Sequence, residues 1–391
     1  MSTGVLTTQP EVESRVAIRV VDTDVHPAIR KLEPARMAMY VEEPWRSRLT
    51  ARAKSNWVSV NSNYYDPPDY YNAAANRYDA RPPSGGPACS DPDFAFEQLI
   101  LDAGVDIAIL QPLGRHFVDP AEEHAHMQVA NGAVADIWLD NHNTYSRWYG
   151  SICVTPRDPV AGAREIERWA EHPHFVQVLM SPGARISFGD PVLDPIYEAA
   201  SRHNLPVATH IFGLGPFEHT PIYPVGNPSH WHDFMSGWPL IFVSHVMSLV
   251  LDGAFERHPN LRFVFVEGDF TWILPVLWRL DRHWERRPSD LPNLRRRPSD
   301  YIRDHVRFTT QPLDDPEDTK QYIRYLEWME SSRFLMFSTD YPHWTYDDPT
   351  WASTHFPKDA REAIMFRNAL SWFSLPDTVP AIPDHTRKPV I

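Results

Sequence analysis

Residues 334–344 read Phe-Leu-Met-Phe-Ser-Thr-Asp-Tyr-Pro-His-Trp: an apolar run ends at Asp340, and Pro342 breaks the chain two residues later. Four other apolar runs end in the same way, at a histidine, an aspartate or a glutamate. These runs end at Asp24 and His26, at His210, at His245 and at Glu267. Core strands that repeatedly end in such side chains predict one site that is built from several strand ends.

The apolar runs alternate with segments of helical periodicity, which predicts an α/β fold. The predicted strands span residues 19–24, 105–111, 148–154, 175–180, 205–210, 240–245, 261–267 and 334–340. Strands that are apolar throughout are typical of a parallel sheet that is covered by helices. Eight such units with polar strand ends predict a closed (β/α)8 barrel, the TIM barrel, whose active site lies at the carboxyl ends of the strands.

A doubly wound open sheet is the alternative fold. Its dinucleotide-binding form carries a Gly-x-Gly-x-x-Gly turn after the first strand, and no such turn follows residues 19–24. Polar strand ends also occur on both the first and the last predicted strand. A closed barrel brings these two strands together and an open sheet separates them, so the barrel is favoured.

We predict a single domain over residues 1–391, with one long insertion and one extended tail. Residues 43–93 lose all periodicity and are rich in Pro, Gly, Asn and Tyr. An ordered loop of that length is typically a lid or a binding loop, so we expect it to lie over the carboxyl-terminal face of the barrel. The proline-rich residues 376–391 are expected to extend against a neighbouring subunit of a homodimer.

The chain has 37 basic and 51 acidic residues, a formal net charge of −14. Its one dense basic run, at residues 295–297, is too short for nucleic acid, whose phosphates require clustered Lys and Arg. No apolar run reaches the length of a membrane-spanning helix, and residues 1–17 lack the features of a signal peptide. The chain has only two cysteines, too few for a disulfide framework, so we expect a cytoplasmic protein. Because nucleic acid and membrane are excluded as partners, we expect the partner to be a small-molecule substrate.

The polar residues at the strand ends have the chemistry of metal ligands. Side chains alternate along a strand, so Asp22, Asp24 and His26 share one face. Polar side chains in a core are costly without partners, and a metal ion is such a partner. Together with His210 and Asp340, the pair Asp24 and His26 could hold a divalent ion, Zn²⁺ first, with Mn²⁺ or Fe²⁺ as alternatives.

The same residues carry a family resemblance. Asp24-Val-His26, His210 after Pro-Val-Ala-Thr, His245 after Val-Ser, and Asp340 in Ser-Thr-Asp-Tyr-Pro-His resemble the amidohydrolase superfamily. Within it, the chain is similar to the amidohydrolase-related branch that contains aminocarboxymuconate-semialdehyde decarboxylase and resorcylate decarboxylase. The resemblance covers nearly the whole chain and implies a (β/α)8 barrel with a divalent metal ion. The implied ligands are Asp24, His26, His210 and Asp340. His245 is implied to hydrogen-bond the nucleophilic water or the substrate, and Asp340 to move protons as well.

The chain departs from this family pattern at two kinds of position. Members with two metal ions use a carboxylated lysine on the fourth strand, and residues 175–181 contain no lysine. We therefore expect one ion. Asp22 and Glu267 are additional acids near strand ends, so a second ion held by carboxylates stays open, and Glu267 could instead orient a histidine.

The candidate residues for substrate contacts are His343, Trp344 and Arg115.

Three functions are considered. The leading hypothesis is hydrolysis, in which metal-activated water attacks a carbonyl of an amide, ester, thioester or C–C bond in a medium-sized, partly apolar substrate. Here Asp340 would carry the proton and His245 would stabilise the oxyanion. The alternative is non-oxidative decarboxylation of an aromatic or unsaturated acid, with Asp340 protonating the carbon. The third, from another class, is a barrel that only binds a ligand.

Overall fold

The protein forms a barrel of eight parallel strands. The computed structural model describes residues 14–28, 34–51, 76–113, 117, 119–211, 230–237, 239–314, 316–383 and 390. The strands are β1 (Arg15–Ala17), β2 (Val21–Val25), β3 (Ile107–Leu110), β4 (Trp148–Val154), β5 (Phe175–Met180), β6 (Val207–His210), β7 (Phe263–Val266), β8 (Val306–Thr309), β9 (Leu335–Met336) and β10 (Thr378–Pro380). Strands β2 to β9 pair in chain order, and each pairing is parallel. The TIM barrel predicted from the sequence is confirmed.

The last barrel strand returns to the first. The amide and the hydroxyl of Thr23 both donate to the carbonyl of Phe337, at 3.0 and 2.8 Å. Beyond these contacts, Val25 and Tyr341 form a parallel bridge. Because β2 and β9 lie side by side, the polar residues at and beyond their carboxyl ends meet at the same end of the barrel.

Helices connect the strands. The α-helices are α1 (Pro34–Tyr40), α2 (Trp45–Ala51), α3 (Pro92–Ala95), α4 (Pro120–Val134), α5 (Pro159–Trp169), α6 (Asp194–Arg202), α7 (Trp231–Gly237), α8 (Pro239–Leu251), α9 (Ala254–Arg257), α10 (Ile273–Arg286), α11 (Pro298–His305), α12 (Thr319–Trp328), α13 (Ser331–Phe334), α14 (Pro349–Thr354) and α15 (Asn368–Trp372). Wider π-helical turns occur at Phe96–Asp102, Ala135–Asp140 and Ala363–Arg367, and 3-10 turns at Tyr78–Ala80, Pro191–Leu193 and Pro288–Asp290.

Several of these helices begin with an Asp-Pro pair. The aspartate accepts hydrogen bonds from the first helical amides, and the proline takes the first helical position. The capping aspartates are Asp91, Asp119, Asp158, Asp190 and Asp348. A proline costs nothing there, because the first amides of a helix have no partner within it. Part of the high proline content therefore starts helices and does not lie in loops.

Residues 240–245, predicted as a strand, belong to helix α8. The buried residues of this helix are Phe242, His245, Val246, Leu249 and Val250. Their spacing of three and four residues places them on one face of a helix. The strand prediction is wrong because a short apolar run cannot distinguish a buried strand from a buried helix by periodicity. Here the run continues to Leu251, and the 13 residues of α8 are longer than an ordinary strand.

Strand β8 was not predicted from the sequence. Its four residues read Val-Arg-Phe-Thr, and Arg307 interrupts the apolar pattern. The guanidinium of Arg307 lies 4.0 Å from the ring centre of Trp372 and donates to the carbonyl of Arg303 at 2.9 Å. The long stem of an arginine can pack in a core while its head reaches partners at the edge. One predicted strand is lost and one is gained, so the barrel still has eight strands.

The two short strands outside the barrel lie near the two ends of the chain. Strand β10 pairs antiparallel with β1, so residues 378–380 of the predicted tail lie against their own chain. Within the predicted insertion, the structure places α2 and a 3-10 turn at Tyr78–Ala80. Residues 52–75 lie outside the described residues, and the lid stays a prediction. In the described part of the chain, no helix combines the length and the apolar character that a membrane crossing needs.

Candidate metal centre

Five buried side chains meet at the carboxyl end of the barrel. They are Asp24 on β2, His26 just after it, His210 at the end of β6, Glu267 just after β7 and Asp340 beyond β9. Each offers one ligand atom, and these atoms all lie within 4.8 Å of one another. The structure thus brings the four predicted ligands together and adds Glu267, which the sequence left open between two roles.

The orientation of His26 points its free nitrogen at two carboxylates. Its Nδ1 lies 3.1 Å from the carbonyl oxygen of Gln111. A carbonyl only accepts, so Nδ1 carries a proton and donates it. Nε2 lies 2.9 Å from Oδ1 of Asp340 and 3.2 Å from Oδ1 of Asp24. A lone pair on Nε2 would repel these oxygens, so this contact requires a cation or a proton between the three groups.

Asp24 has the surroundings that fit a cation ligand. Its side chain is fully buried, and among the described residues neither carboxylate oxygen has a hydrogen-bond partner. Burial raises the pKa of Asp24 to about 8, with the charge of His26 opposing that rise and the charge of Asp340 adding to it. A buried carboxylate without donors is costly, and coordination of a divalent cation would remove that cost. Two imidazoles and three carboxylates are a donor set that suits Zn²⁺, Mn²⁺ or Fe²⁺.

His210 and Glu267 face each other across the cluster. Nε2 of His210 lies 3.2 Å from Oε2 of Glu267 and 3.4 Å from Oδ2 of Asp24. Burial, together with the neighbouring charge of His26, lowers the pKa of His210 well below the ordinary value, which favours the neutral imidazole that binds metals. Burial, followed by the charges of Asp340 and Asp24, raises the pKa of Glu267 well above its usual range. Three carboxylates in one small volume explain these mutual shifts.

Asp340 is surrounded by hydrogen-bond partners. Its Oδ1 faces Nε2 of His26 and also contacts Nδ1 of His343, while its Oδ2 accepts from the hydroxyl of Thr345 at 2.8 Å. Burial alone would raise the pKa of Asp340, but the charges and hydrogen bonds of His343 and His26 hold that pKa below its usual range. Asp340 is therefore an ionised carboxylate in contact with two imidazoles that can carry protons.

Two of the cluster acids have an unusual backbone. Glu267 has φ +54° and Asp340 has φ +62°, the left-handed region that residues with a Cβ rarely adopt. The amide of Glu267 donates to the hydroxyl of Thr309 at 3.0 Å, and the amide of Asp340 donates to the carbonyl of Asp24 at 3.1 Å. Such strain persists where surrounding contacts hold it and is concentrated at functional sites. No sequence signal marks Thr309, because the strand that carries it was not predicted.

Asp22 does not join the cluster. Its Oδ1 accepts from the amides of Thr339 and Asp24, at 2.9 and 3.1 Å, and its Oδ2 accepts from the hydroxyl of Thr339 at 2.5 Å. Burial raises the pKa of Asp22 to about 7, against the opposing hydrogen bonds of Thr339. These contacts commit both oxygens to the neighbouring strand end, so the structure does not support Asp22 as a ligand of a second ion.

His245 lies on helix α8 and not on a strand end, and it is not among the five clustered residues. Its Nε2 lies 3.0 Å from the carbonyl oxygen of Pro182, and its ring stacks on Phe188 with centres 3.7 Å apart. The carbonyl requires the proton on Nε2, and burial lowers the pKa of His245 to about 4, so the ring is neutral. Its Nδ1 can then only accept a hydrogen bond. In this orientation His245 does not fit the predicted role of donor to an oxyanion.

The three predicted substrate residues have different surroundings. His343 is buried, contacts Asp340, and lies 4.6 Å from His26 between ring centres. Trp344 is 52% exposed. Arg115 lies outside the described residues. Of the two that the structure describes, His343 lies against the cluster.

Comparisons with known proteins agree with this site. Residues 21–375 match the sequence profile of the family described as Amidohydrolase. Gamma-resorcylate decarboxylase of Rhodococcus jostii is 28% identical over 207 residues, 50% of this chain and 60% of that protein. The 2-amino-3-carboxymuconate-6-semialdehyde decarboxylase of Dictyostelium discoideum is 24% identical over 268 residues, 65% of this chain and 67% of that protein. The match therefore spans only three fifths of the first relative's length.

A solved structure shows the same fold. The 5-carboxyvanillate decarboxylase of Novosphingobium aromaticivorans, complexed with manganese and 4-hydroxy-3-methoxy-5-nitrobenzoic acid, has a TM-score of 0.62 and 17% identity. The similarity covers 92% of this chain and 96% of that chain. At this identity the likeness speaks for the fold alone.

The hydrolysis predicted from the sequence is wrong. The two relatives described above are both decarboxylases. The motifs at the strand ends are shared by both kinds of reaction. They therefore could not distinguish hydrolysis, in which the proton goes to a leaving group, from decarboxylation, in which it goes to a carbon.

Proposed function

The chain belongs to the amidohydrolase family, and we propose that it is a metal-dependent decarboxylase of an aromatic or unsaturated carboxylic acid. The observation that carries this proposal is the contact of Asp340 with both His26 and His343 at the edge of a buried five-residue cluster. A decarboxylase must place a group that carries protons beside the group that holds its substrate. The names of the relatives supply the substrate class.

The cluster would hold one divalent ion. Asp24, His26, His210 and Asp340 would be its ligands, and Glu267, which faces His210 at 3.2 Å, would be a further ligand or would orient that histidine. When bound, the ion would act as a Lewis acid for the carboxylate and the neighbouring oxygen of the substrate. Mn²⁺ is favoured by the carboxylate-rich donor set and by the manganese in the similar structure. Zn²⁺, the expectation from the sequence, stays an alternative.

The protein residues would manage one proton. Asp340 would give a proton to the carbon that bears the carboxylate, and the bond between that carbon and the carboxylate would then break. The electron pair of the bond would return to the substrate and CO₂ would leave, so that each turnover uses one proton and no water. His343 would hold and return the proton at Oδ1 of Asp340, the atom that it contacts.

The burial of the cluster residues favours the proposed proton transfer. Asp24, His26, His210 and Asp340 have no exposed surface, so water has little access to the proton on Asp340. Electrostatic interactions are also stronger in such a site than in water. The small-molecule substrate and the homodimer that the sequence suggested belong to this proposal as well.

The test is product analysis in ¹⁸O-labelled water. Protein loaded with Mn²⁺ is incubated with 2,6-dihydroxybenzoate, 5-carboxyvanillate or 2-amino-3-carboxymuconate-6-semialdehyde, and products are identified by mass spectrometry. We expect one of these acids to lose about 44 mass units, the mass of CO₂, with no more ¹⁸O in the remaining product than in a control incubated without protein. A product that carries more ¹⁸O than this control would contradict the proposal.

A further inference from the structure

One oxygen of Asp340 is held by a residue outside the metal cluster. The hydroxyl of Thr345 donates to Oδ2 of Asp340 at 2.8 Å, while His26 and His343 both lie at Oδ1. The two oxygens of this carboxyl group therefore have different partners on opposite sides. Rotation about the Cβ–Cγ bond would break contacts at both ends, so the plane of the carboxyl group is fixed.

Thr345 is itself fixed from strand β8. The side-chain amide of Gln311, which is fully buried, donates to the carbonyl oxygen of Thr345 at 3.1 Å. The amide of Gln311 donates in turn to the hydroxyl of Ser338 at 3.0 Å. Gln311 thus connects the residues after β8, the residues after β9 and the loop that carries Thr345.

A second pair of contacts holds the same loop two residues later. Asp347 accepts from the amide of Leu313 at 3.0 Å through its Oδ2, and the amide of Asp347 donates to the carbonyl of Thr339 at 3.0 Å. The loop is therefore attached to the residues after β8 at Thr345 and at Asp347, and to the residues after β9 at Asp347. These attachments hold the backbone that presents the hydroxyl of Thr345 to Asp340.

The hydroxyl of Thr345 holds Asp340 on the side away from the two imidazoles. It donates its one proton to Oδ2, while His26 and His343 lie at Oδ1. With Oδ2 held in this way, Oδ1 is kept facing both imidazoles.

We propose that Thr345 is a positioning residue for Asp340, which keeps the carboxyl plane fixed so that Oδ1 faces His26 and His343. This inference rests on the proposed decarboxylation, because the direction of Oδ1 matters to turnover only if Asp340 passes the proton to the substrate. Thr345 does not touch the substrate in this account and acts through Asp340.

The test compares Thr345→Val with Thr345→Ser in the full-length, Mn²⁺-loaded protein. Valine keeps the shape and removes the hydroxyl, whereas serine keeps the hydroxyl. With 2,6-dihydroxybenzoate as the probe, we expect kcat of the valine variant to fall by about 10- to 100-fold with little change in KM, and serine to stay within about threefold of the parent. Affinity for Mn²⁺, measured by electron paramagnetic resonance, should be alike in all three proteins.

A crystal structure of each Mn²⁺-loaded variant supplies a readout that does not depend on turnover. We expect the Asp340 carboxyl group to turn about its Cβ–Cγ bond in the valine variant and to keep its plane in the serine variant. An unmoved carboxyl group in the valine variant, or equal loss of kcat in both variants, would overturn the inference. One further outcome is that the parent protein releases no CO₂, while the Asp340 carboxyl group is rotated in the crystal structure of the valine variant. In that case the proposed reaction fails and the positioning role of Thr345 stands.

Discussion

The carboxylate of Asp22 accepts two hydrogen bonds from Thr339, one from its backbone amide at 2.9 Å and one from its hydroxyl at 2.5 Å. Asp22 precedes Asp24 by two residues, and Thr339 directly precedes Asp340. The contact therefore joins the first and last strands of the barrel at the point where each supplies a carboxylate to the cluster. Asp22 serves the site by closing the barrel beside it.

Replacement of Asp22 by alanine should destabilise the protein. The change leaves the amide and the hydroxyl of Thr339 buried without their acceptor, which typically costs about 2–4 kcal/mol in total. The free energy of unfolding, measured by urea titration, should fall by this amount. The matched control is Asp359→Ala at an exposed position, which should leave the value unchanged. Equal stability of the two variants would show that the contact does not hold the barrel together.

Removal of a proposed ligand should abolish turnover. Asp340→Asn keeps the size of the side chain but removes the charge and the proton carrier, and His210→Ala removes one imidazole. We expect either change to lower kcat/KM at least about 1000-fold and to weaken Mn²⁺ binding. The control is His283→Ala, at an exposed position on α10. This variant should keep the kcat/KM and the Mn²⁺ affinity of the parent protein. Retained turnover in either site variant would contradict the assignment.

The metal-free protein should lose stability as the pH rises from about 6.5 to about 8. The pKa values of Asp22 and Asp24 are raised from 3.8 to about 7 and about 8 by burial. Over this range the folded state therefore holds protons that the unfolded state has released, so the free energy of unfolding falls with pH. His210 and His245, whose pKa values are lowered from 6.5, act in the opposite direction only at lower pH.

Bound metal should remove part of that loss, because the ion takes the place of the protons at the cluster. The measurement is the melting temperature at pH 6.5 and pH 8.5, with and without Mn²⁺. We expect the metal-free protein to melt lower at pH 8.5, and the stabilisation by Mn²⁺ to be larger there than at pH 6.5. A stabilisation that is independent of pH would mean that the metal does not displace protons from buried carboxylates.

Much of the barrel could be predicted because its strands are continuous apolar runs with polar ends. The predicted runs at 148–154 and 175–180 match β4 and β5 residue for residue. The prediction failed where the pattern is ambiguous or interrupted. The apolar run of α8 has no polar side to reveal its helical period, and Arg307 interrupts β8.

The residues that cluster at the strand ends could be predicted one by one, while the residues that support them could not. Asp24, His26, His210 and Asp340 stand at strand ends, where their chemistry is visible in the sequence. Thr345 and Gln311 have no such signal. Their role depends on how the loops after β8 and β9 fold onto each other, and that contact joins residues 34 positions apart.

The most direct test of this account is the position of the metal. Crystals of the protein grown with Mn²⁺ would be measured at the absorption edge of manganese. We predict one anomalous peak per chain, with Nε2 of His26, Nε2 of His210 and carboxylate oxygens of Asp24 and Asp340 at about 2.0–2.4 Å from it. The same map shows whether Glu267 also binds the ion. A Mn²⁺-bound protein with no peak between these strand ends, or with two peaks there, would contradict the account.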